Sequence, residues 1–311
     1  MPFTVTHIAA AVPIAWLCRW RVPFSALAIG SMVPDLAGFY PAILDYQSTH
    51  SLLGILTHCS PIGLIAYYVY HGILKRPLVD VLPRAASDRL RPWTERPIDF
   101  SVKAVGLVVV CVAIGAATHV LWDSFTHARR WGVEMVPQLE SAMGKHAGRP
   151  VRLYSILQHG SSIVFLPPLL IGFAIWIRKQ PREQEPMERA QMPRAVTWSA
   201  IGLMIGGSTL YFHLLRESNP YLLWINAVRF AVKHGSAVAL IATLIYCVAM
   251  QIVWWRELDG QDVTDCDGVG INASRLAAPP TLAAPSRSEA KNKEAPESNP
   301  SAQAPSVSSP R

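Results

Sequence analysis

The densest concentration of side chains able to do chemistry is Thr118-His119-Val120-Leu121-Trp122-Asp123-Ser124-Phe125-Thr126-His127, at the close of an apolar run. His119, Asp123 and His127 are spaced i, i+4, i+8. A helix continuing through them places all three on one face, with neighbouring side chains about 5–6 Å apart. Neutral imidazole and carboxylate are the donors a zinc-type divalent ion prefers, and HxxxD can clamp such an ion from a single helix. Thr118 and Thr126 are placed to orient the rings. The plainer alternative is a local His–Asp hydrogen bond at a membrane surface.

More such groups sit at comparable depth. His7 precedes the first apolar run, Asp35 follows Pro34 near the end of the second, His50 opens the third and His159 opens the fifth. Each has an ordinary reading: an interfacial residue or cap for His7, a turn former for Asp35, a helix start beside Ser48, Thr49 or Ser51 for His50. His159, in Gln158-His159-Gly160-Ser161, has an echo in Lys233-His234-Gly235-Ser236, a generic way to begin a membrane helix. Together they put ionisable groups at the same end of several apolar helices, where desolvation is costly and function is the default expectation. His58, His213 and His234 are secondary candidates; His71 and His146 read as surface.

The elements that must position these residues are membrane helices. Of 311 residues 51% are hydrophobic and 16% charged, below the roughly 25% charged of a soluble domain. Uncharged apolar runs cover Leu52–Tyr70, Ala104–Trp122, Ser161–Ile177, Ala195–Leu215 and Gly235–Trp255, each near the ~20 residues that span a bilayer. Ile8–Leu17 and Phe24–Tyr40 are interrupted by Pro13 and Pro34 and separated by Arg19 and Arg21. They read as two short or tilted membrane helices joined by a basic turn, with a pair of interfacial helices as the alternative; no cleavable signal is apparent. The expected fold is all-α: a polytopic membrane helical bundle of five to seven spans, residues 1–258, with a disordered Ala/Pro/Ser-rich tail, residues 259–311.

Basic residues crowd the connections after the third run (Lys75, Arg76, Arg84, Arg89, Arg91, Arg96) and after the fifth (Arg178, Lys179, Arg182, Arg189, Arg194). Those connections are expected in the cytoplasm, which puts the N-terminus and the His/Asp groups outside the inner membrane of a bacterium and the tail inside. The net charge of +7 is anchoring charge and gives no ground for nucleic-acid binding. Cys18, Cys59, Cys111, Cys247 and Cys266 form no CxxC pair; Cys59, Cys111 and Cys247 lie in apolar runs and read as small buried side chains.

The opening Met1-Pro2-Phe3-Thr4-Val5-Thr6-His7, then Gly30-Ser31-Met32-Val33-Pro34-Asp35, Thr49-His50-Ser51, Thr118–His127 and Leu157-Gln158-His159 together resemble the bacterial membrane family of domain-of-unknown-function 4184, over roughly residues 1–255. The order His, Asp, His, HisxxxAsp, His, His is more distantly similar to membrane-bound metal-dependent hydrolases, zinc-dependent phospholipase C and the P1-type nucleases. By that resemblance His7 and Asp123 share one metal, Asp35, His50, His119 and Asp123 hold a second, and His127 and His159 hold a third. Two departures weaken the third: Met1-Pro2 offers no N-terminal ligand, and Ile163 stands where a glutamate follows the last histidine. A one- or two-metal site, zinc first, is the expectation.

The resulting expectation is a divalent-metal-dependent hydrolase of a phosphate ester, with a membrane lipid or isoprenoid phosphate as substrate at the extracytoplasmic face. Arg129 and Arg130 would attract an anionic head group, against an ordinary exposed interfacial pair. The alternative is a non-catalytic membrane protein whose cluster is structural or part of a metal or proton pathway.

Overall fold

A computed structural model describes residues 4–146, 149–182 and 238–256. The expected span Ala195–Leu215, with His213, His234, Cys266 and the segment from 259 onward, lies outside the described residues. Helix α1 (Thr4–Leu17) and α2 (Phe24–Phe39) are followed by the single turn α3 (Tyr46–Thr49), α4 (Leu52–Val81), α5 (Arg84–Thr94), α6 (Val102–Thr126) and the short α7 (Trp131–Met135). A hairpin of β1 (Ala142–His146) and β2 (Arg149–Arg152) leads into α8 (Leu153–Lys179); α9 (Val238–Arg256) completes the described chain.

Among the described residues α4, α6, α8 and α9 are long and apolar enough to cross a membrane. Only 11% of the most apolar stretch of α8 is buried within the protein, and Ile163, Val164, Phe165, Leu170, Ile171 and Phe173 stand exposed. Apolar surface of that extent is unfavourable in water and is what a bilayer solvates. The all-helical expectation describes the architecture well. Among the described residues, the small hairpin at 142–152 departs from it.

The first two helices form a hairpin. At roughly 1.5 Å per residue, the 14 residues of Thr4–Leu17 reach about 21 Å, short of a ~30 Å hydrocarbon layer. The turn passes through Arg19 and Trp20, both at positive φ (52° and 56°). The hairpin runs lengthwise against α6: Ala11, Ala15, Ala26 and Leu27 pack on Val108, Cys111 and Val112. Nearer its open end, Val33 joins Ile55, Cys59, Ala116 and Val120. Two glycines make this approach possible. A Cβ on Gly30 would collide with the Val112 carbonyl, and one on Gly115 with the Leu27 carbonyl. Close helix contact through small residues is the usual solution where lipid removes the hydrophobic drive between helices.

Helix α4 is not uniform. Ile55–Cys59 and Tyr70–Leu74 are π-turns, and Pro77 cannot donate to the carbonyl of Ile73 four residues earlier. Gln251 of α9 supplies that donor, its Nε2 lying 3.1 Å from Ile73 O and 3.4 Å from Gly72 O. Lys75, expected in a connection, is instead buried in the helix, and His71, expected at the surface, is half-buried with Nε2 2.9 Å from Ser25 Oγ. The helix continues through the π-turn past its apolar run to Val81, so both residues sit within it. Cys59, Cys111 and Cys247 are buried free thiols, whereas Cys18 is exposed.

Candidate metal centre

The first helical turn of α1 holds His7, and the 3-10 turn Val33–Asp35 inside α2 holds Asp35. His50 follows directly on α3, whose start is capped by Asp45, its carboxylate accepting from Ser48 N at 2.7 Å. That exposed carboxyl is held below its ordinary range by the same backbone bond. Ser51 then caps α4 by accepting from Gly54 N, so the chain turns sharply at His50. His119 and Asp123 occupy the last two turns of α6. The α2–α6 contact at Gly30 and Gly115 brings Asp35 beside His119.

Asp35, His50, His119 and Asp123 each offer one ligand atom, and those atoms all lie within 4.8 Å of one another. His119 Nε2 is 3.6 Å from Asp35 Oδ1 and 3.5 Å from Asp123 Oδ2. His50 Nε2 is 3.6 Å from Asp123 Oδ2, and His7 Nε2 is 3.7 Å from Asp123 Oδ1. Hydrogen bonds between such atoms fall near 2.7–3.2 Å, so these separations are too long. Two donors bonded at ~2.1 Å to one tetrahedral ion stand about 3.4 Å apart, close to what is observed. The group is enclosed: His119 is 0% exposed, Asp35 1% and Asp123 2%. His7 stacks on His119 with ring centroids 3.7 Å apart.

The rings are set from behind. A carbonyl oxygen only accepts, so His119 Nδ1, 2.7 Å from Ser31 O, carries a proton, and in the neutral ring Nε2 then presents its lone pair toward the carboxylates. His50 Nδ1 lies 3.0 Å from Tyr46 O, with the same consequence. Asp35 accepts from Thr4 Oγ1 at 2.7 Å through Oδ2, which turns Oδ1 toward His119. Backing of this kind fixes tautomer and orientation at metal sites. With the rings neutral, lone pairs of imidazole and carboxylate face one another, and His7 Nε2, Asp35 Oδ1, His50 Nε2, His119 Nε2 and both Asp123 oxygens are buried without a hydrogen-bond partner. Each such orphan costs on the order of 1–3 kcal/mol, a penalty that a shared cation removes. Two carboxylates with neutral imidazoles balance the charge of one divalent ion.

His127 departs from the helical spacing. Helix α6 ends at Thr126, and His127 is extended (φ −125°, ψ 140°). Its backbone N–H and Nδ1 both approach Asp123 O, at 3.1 and 3.2 Å, so it caps the helix's last carbonyls. Nδ1 also lies 3.5 Å from Asp123 Oδ2, and Nε2 is 2.9 Å from Gln158 Nε2. Burial holds its pKa below the ordinary imidazole value. His159, one residue along α8 from the buried Gln158, is exposed and stands outside the group of four. Thr118 bonds back to Gly115 O rather than to a ring, while Thr126 Oγ1 is 3.3 Å from His127 Nδ1. His58 is exposed, paired with Thr57.

A small pocket opens onto the group, lined by His50, Val120, Asp123, Ser124, Arg130 and Trp131. Tyr46 stacks on His50 with centroids 3.9 Å apart, and the Arg130 guanidinium lies over the Tyr46 ring with Cζ 5.2 Å from its centroid. Burial raises the Tyr46 phenol above its ordinary pKa, with Asp123 and Asp35 adding to the effect and Arg130 opposing it. Thr4, Tyr46 and Gln158 were no part of the sequence-derived set. Thr4 and Gln158 each sit within three residues of a candidate ligand, which is the signal that was available for them.

A family model described as "Domain of unknown function (DUF4184)" matches residues 1–254, and the chain belongs to that family. No curated protein and no solved structure matches it.

Proposed function

We propose that this member of the DUF4184 family is a membrane-embedded, divalent-metal-dependent hydrolase of a phosphate ester, with a lipid or isoprenoid phosphate as the favoured substrate. The observation that carries the reading is the inward-facing set of Asp35, His50, His119 and Asp123, whose ligand atoms lie within 4.8 Å of one another and are buried without hydrogen-bond partners. Zinc is the first choice of ion because the donors are imidazole nitrogens and carboxylate oxygens. A bound ion would supply Lewis acidity and lower the pKa of a water toward neutrality.

The residues of the chain have separable duties. His119 and Asp35 hold one side of the centre; His50 and Asp123 hold the other, next to the pocket. His7 faces the remaining oxygen of Asp123 and extends the set toward a second position. Placement supports a lipid substrate: His50 precedes α4, Asp123 lies near the end of α6 and Gln158 near the start of α8, so the centre is at one end of three span-length helices. Arg84, Arg89, Arg178, Lys179 and Arg182 belong to their opposite ends, which favours an extracytoplasmic centre under the positive-inside rule. Five to seven crossings, with the α1–α2 hairpin counted among them, are part of the same proposal.

Full-length protein in lipid nanodiscs, loaded with zinc or manganese, should release phosphate or a phosphorylated head group from anionic lipid. EDTA should abolish that release and added metal restore it, while His119→Ala should be inactive throughout. Turnover that EDTA and His119→Ala both leave unchanged would refute the proposal. The competing reading, a structural clamp of protonated histidines on two aspartates, draws on the same His–Asp contacts, which at 3.5–3.7 Å are within ion-pair reach; it requires no metal, so metal content separates the two.

A further inference from the structure

We propose that Arg130 is the anion-binding arm of this centre, holding one phosphoryl oxygen of the substrate at the mouth of the pocket that His50 and Asp123 floor. The inference rests on the metal-centre reading and adds a residue and a substrate charge to it. Arg130 lines the same pocket as His50 and Asp123. Its Nη2 is buried and has no hydrogen-bond partner, although an arginine carries five donors and is always charged. The side chain is held in place by the Tyr46 ring, 5.2 Å from its Cζ, and Tyr46 in turn stacks on His50. The chain is set there by a tight turn: Arg129 has φ 55°, and Arg130 immediately precedes α7. Arg129 itself is exposed. Of the two adjacent arginines, one therefore faces the centre and the other faces out.

A guanidinium donor left unsatisfied beside a candidate cation site calls for an anion with oxygens able to reach both, which is the geometry of a phosphoryl group. The pocket admits little beyond a water-sized group. Single oxygens enter it, and the rest of the ester stays outside, past the half-exposed Trp131. Inorganic phosphate, a soluble phosphomonoester and a lipid phosphate share that oxygen chemistry.

Binding of inorganic phosphate to full-length, metal-loaded protein in detergent tests the assignment, with metal content measured on the same samples. Arg130→Gln should keep the metal and weaken phosphate binding about 10- to 100-fold, the range of a charge-assisted hydrogen bond. Arg130→Lys, which keeps the charge without the fork, should fall between, and Arg129→Gln should match wild type. Competition by nanodiscs containing phosphatidic acid, against phosphatidylcholine alone, tells a lipid phosphate from a soluble one, and either source supports the assignment. Metal-loaded wild type that binds no phosphate, or Arg130→Gln that binds it as wild type does, overturns this proposal and leaves the metal centre standing. Wild type without bound metal overturns both.

Discussion

Asp123→Asn separates a metal centre from a salt-bridged clamp, because the two make opposite demands on the metal-free protein. Asp123 is 2% exposed, and its two oxygens face His7, His50, His119 and His127 at 3.5–3.7 Å. Removing one partner from such a buried charged set costs about 3–5 kcal/mol. Taken from an ion's binding energy, that weakens metal affinity by about 150- to 4,000-fold. At free metal 100 times the wild-type Kd, the ion stabilises wild type by about 2.7 kcal/mol and the variant by at most ~0.4 kcal/mol. The metal-free comparison runs the other way. An asparagine amide keeps the shape and can donate to the lone pair of His7 or His50, so the variant in EDTA should be at least as stable as wild type in EDTA. Thermal unfolding of detergent-purified protein, with and without EDTA, reads both differences. If EDTA does not move wild type, and Asp123→Asn unfolds several kcal/mol earlier in either condition, the clamp is right and the metal reasoning fails.

Three further outcomes follow from the geometry. Gly115→Leu forces α2 off α6 at the Leu27 carbonyl; it should cost at least about 1–3 kcal/mol and abolish stoichiometric metal by withdrawing Asp35, whereas Gly106→Leu, with open space around it, should do neither. Thr4→Val removes the 2.7 Å bond to Asp35 Oδ2 and should weaken metal binding roughly 10- to 100-fold without unfolding the protein, as read by equilibrium dialysis against a competing chelator. Metal affinity should fall as pH drops from 7 to 5, since an imidazole nitrogen binds a metal only when unprotonated; affinity independent of pH over that range would exclude histidine ligands.

Much of the architecture was legible because lipid imposes a coarse and unambiguous pattern: long uncharged runs, and ionisable residues only where something pays for them. The level at which His7, Asp35, His50, His119 and Asp123 meet could be read from their positions at the ends of those runs. The end of α6 could not. Periodicity places His127 with His119 and Asp123, but the carbonyls of a helix terminus need donors, and His127 leaves the helix to provide them at Asp123 O. Nor was the close approach at Gly30 and Gly115 visible, since a small residue in an apolar run looks alike whether it faces lipid or another backbone. The bond from His119 to Ser31 O is made to the main chain, so the identity of residue 31 carries no trace of it. His71 and Lys75 were misplaced because α4 continues beyond its apolar stretch, through a π-turn and in spite of Pro77. The extension is stabilised by Gln251, distant in sequence.

The central claim is that Asp35, His50, His119 and Asp123 share one divalent ion. Elemental analysis and X-ray absorption at the metal edge, on full-length protein purified without chelator from zinc- and manganese-supplemented cells, test it most directly. The expected result is about one ion per chain with a nitrogen and oxygen shell at ~2.0–2.2 Å and imidazole scattering, lost in Asp123→Asn. Wild-type protein carrying no ion above background, or an ion retained unchanged in Asp123→Asn, would contradict it.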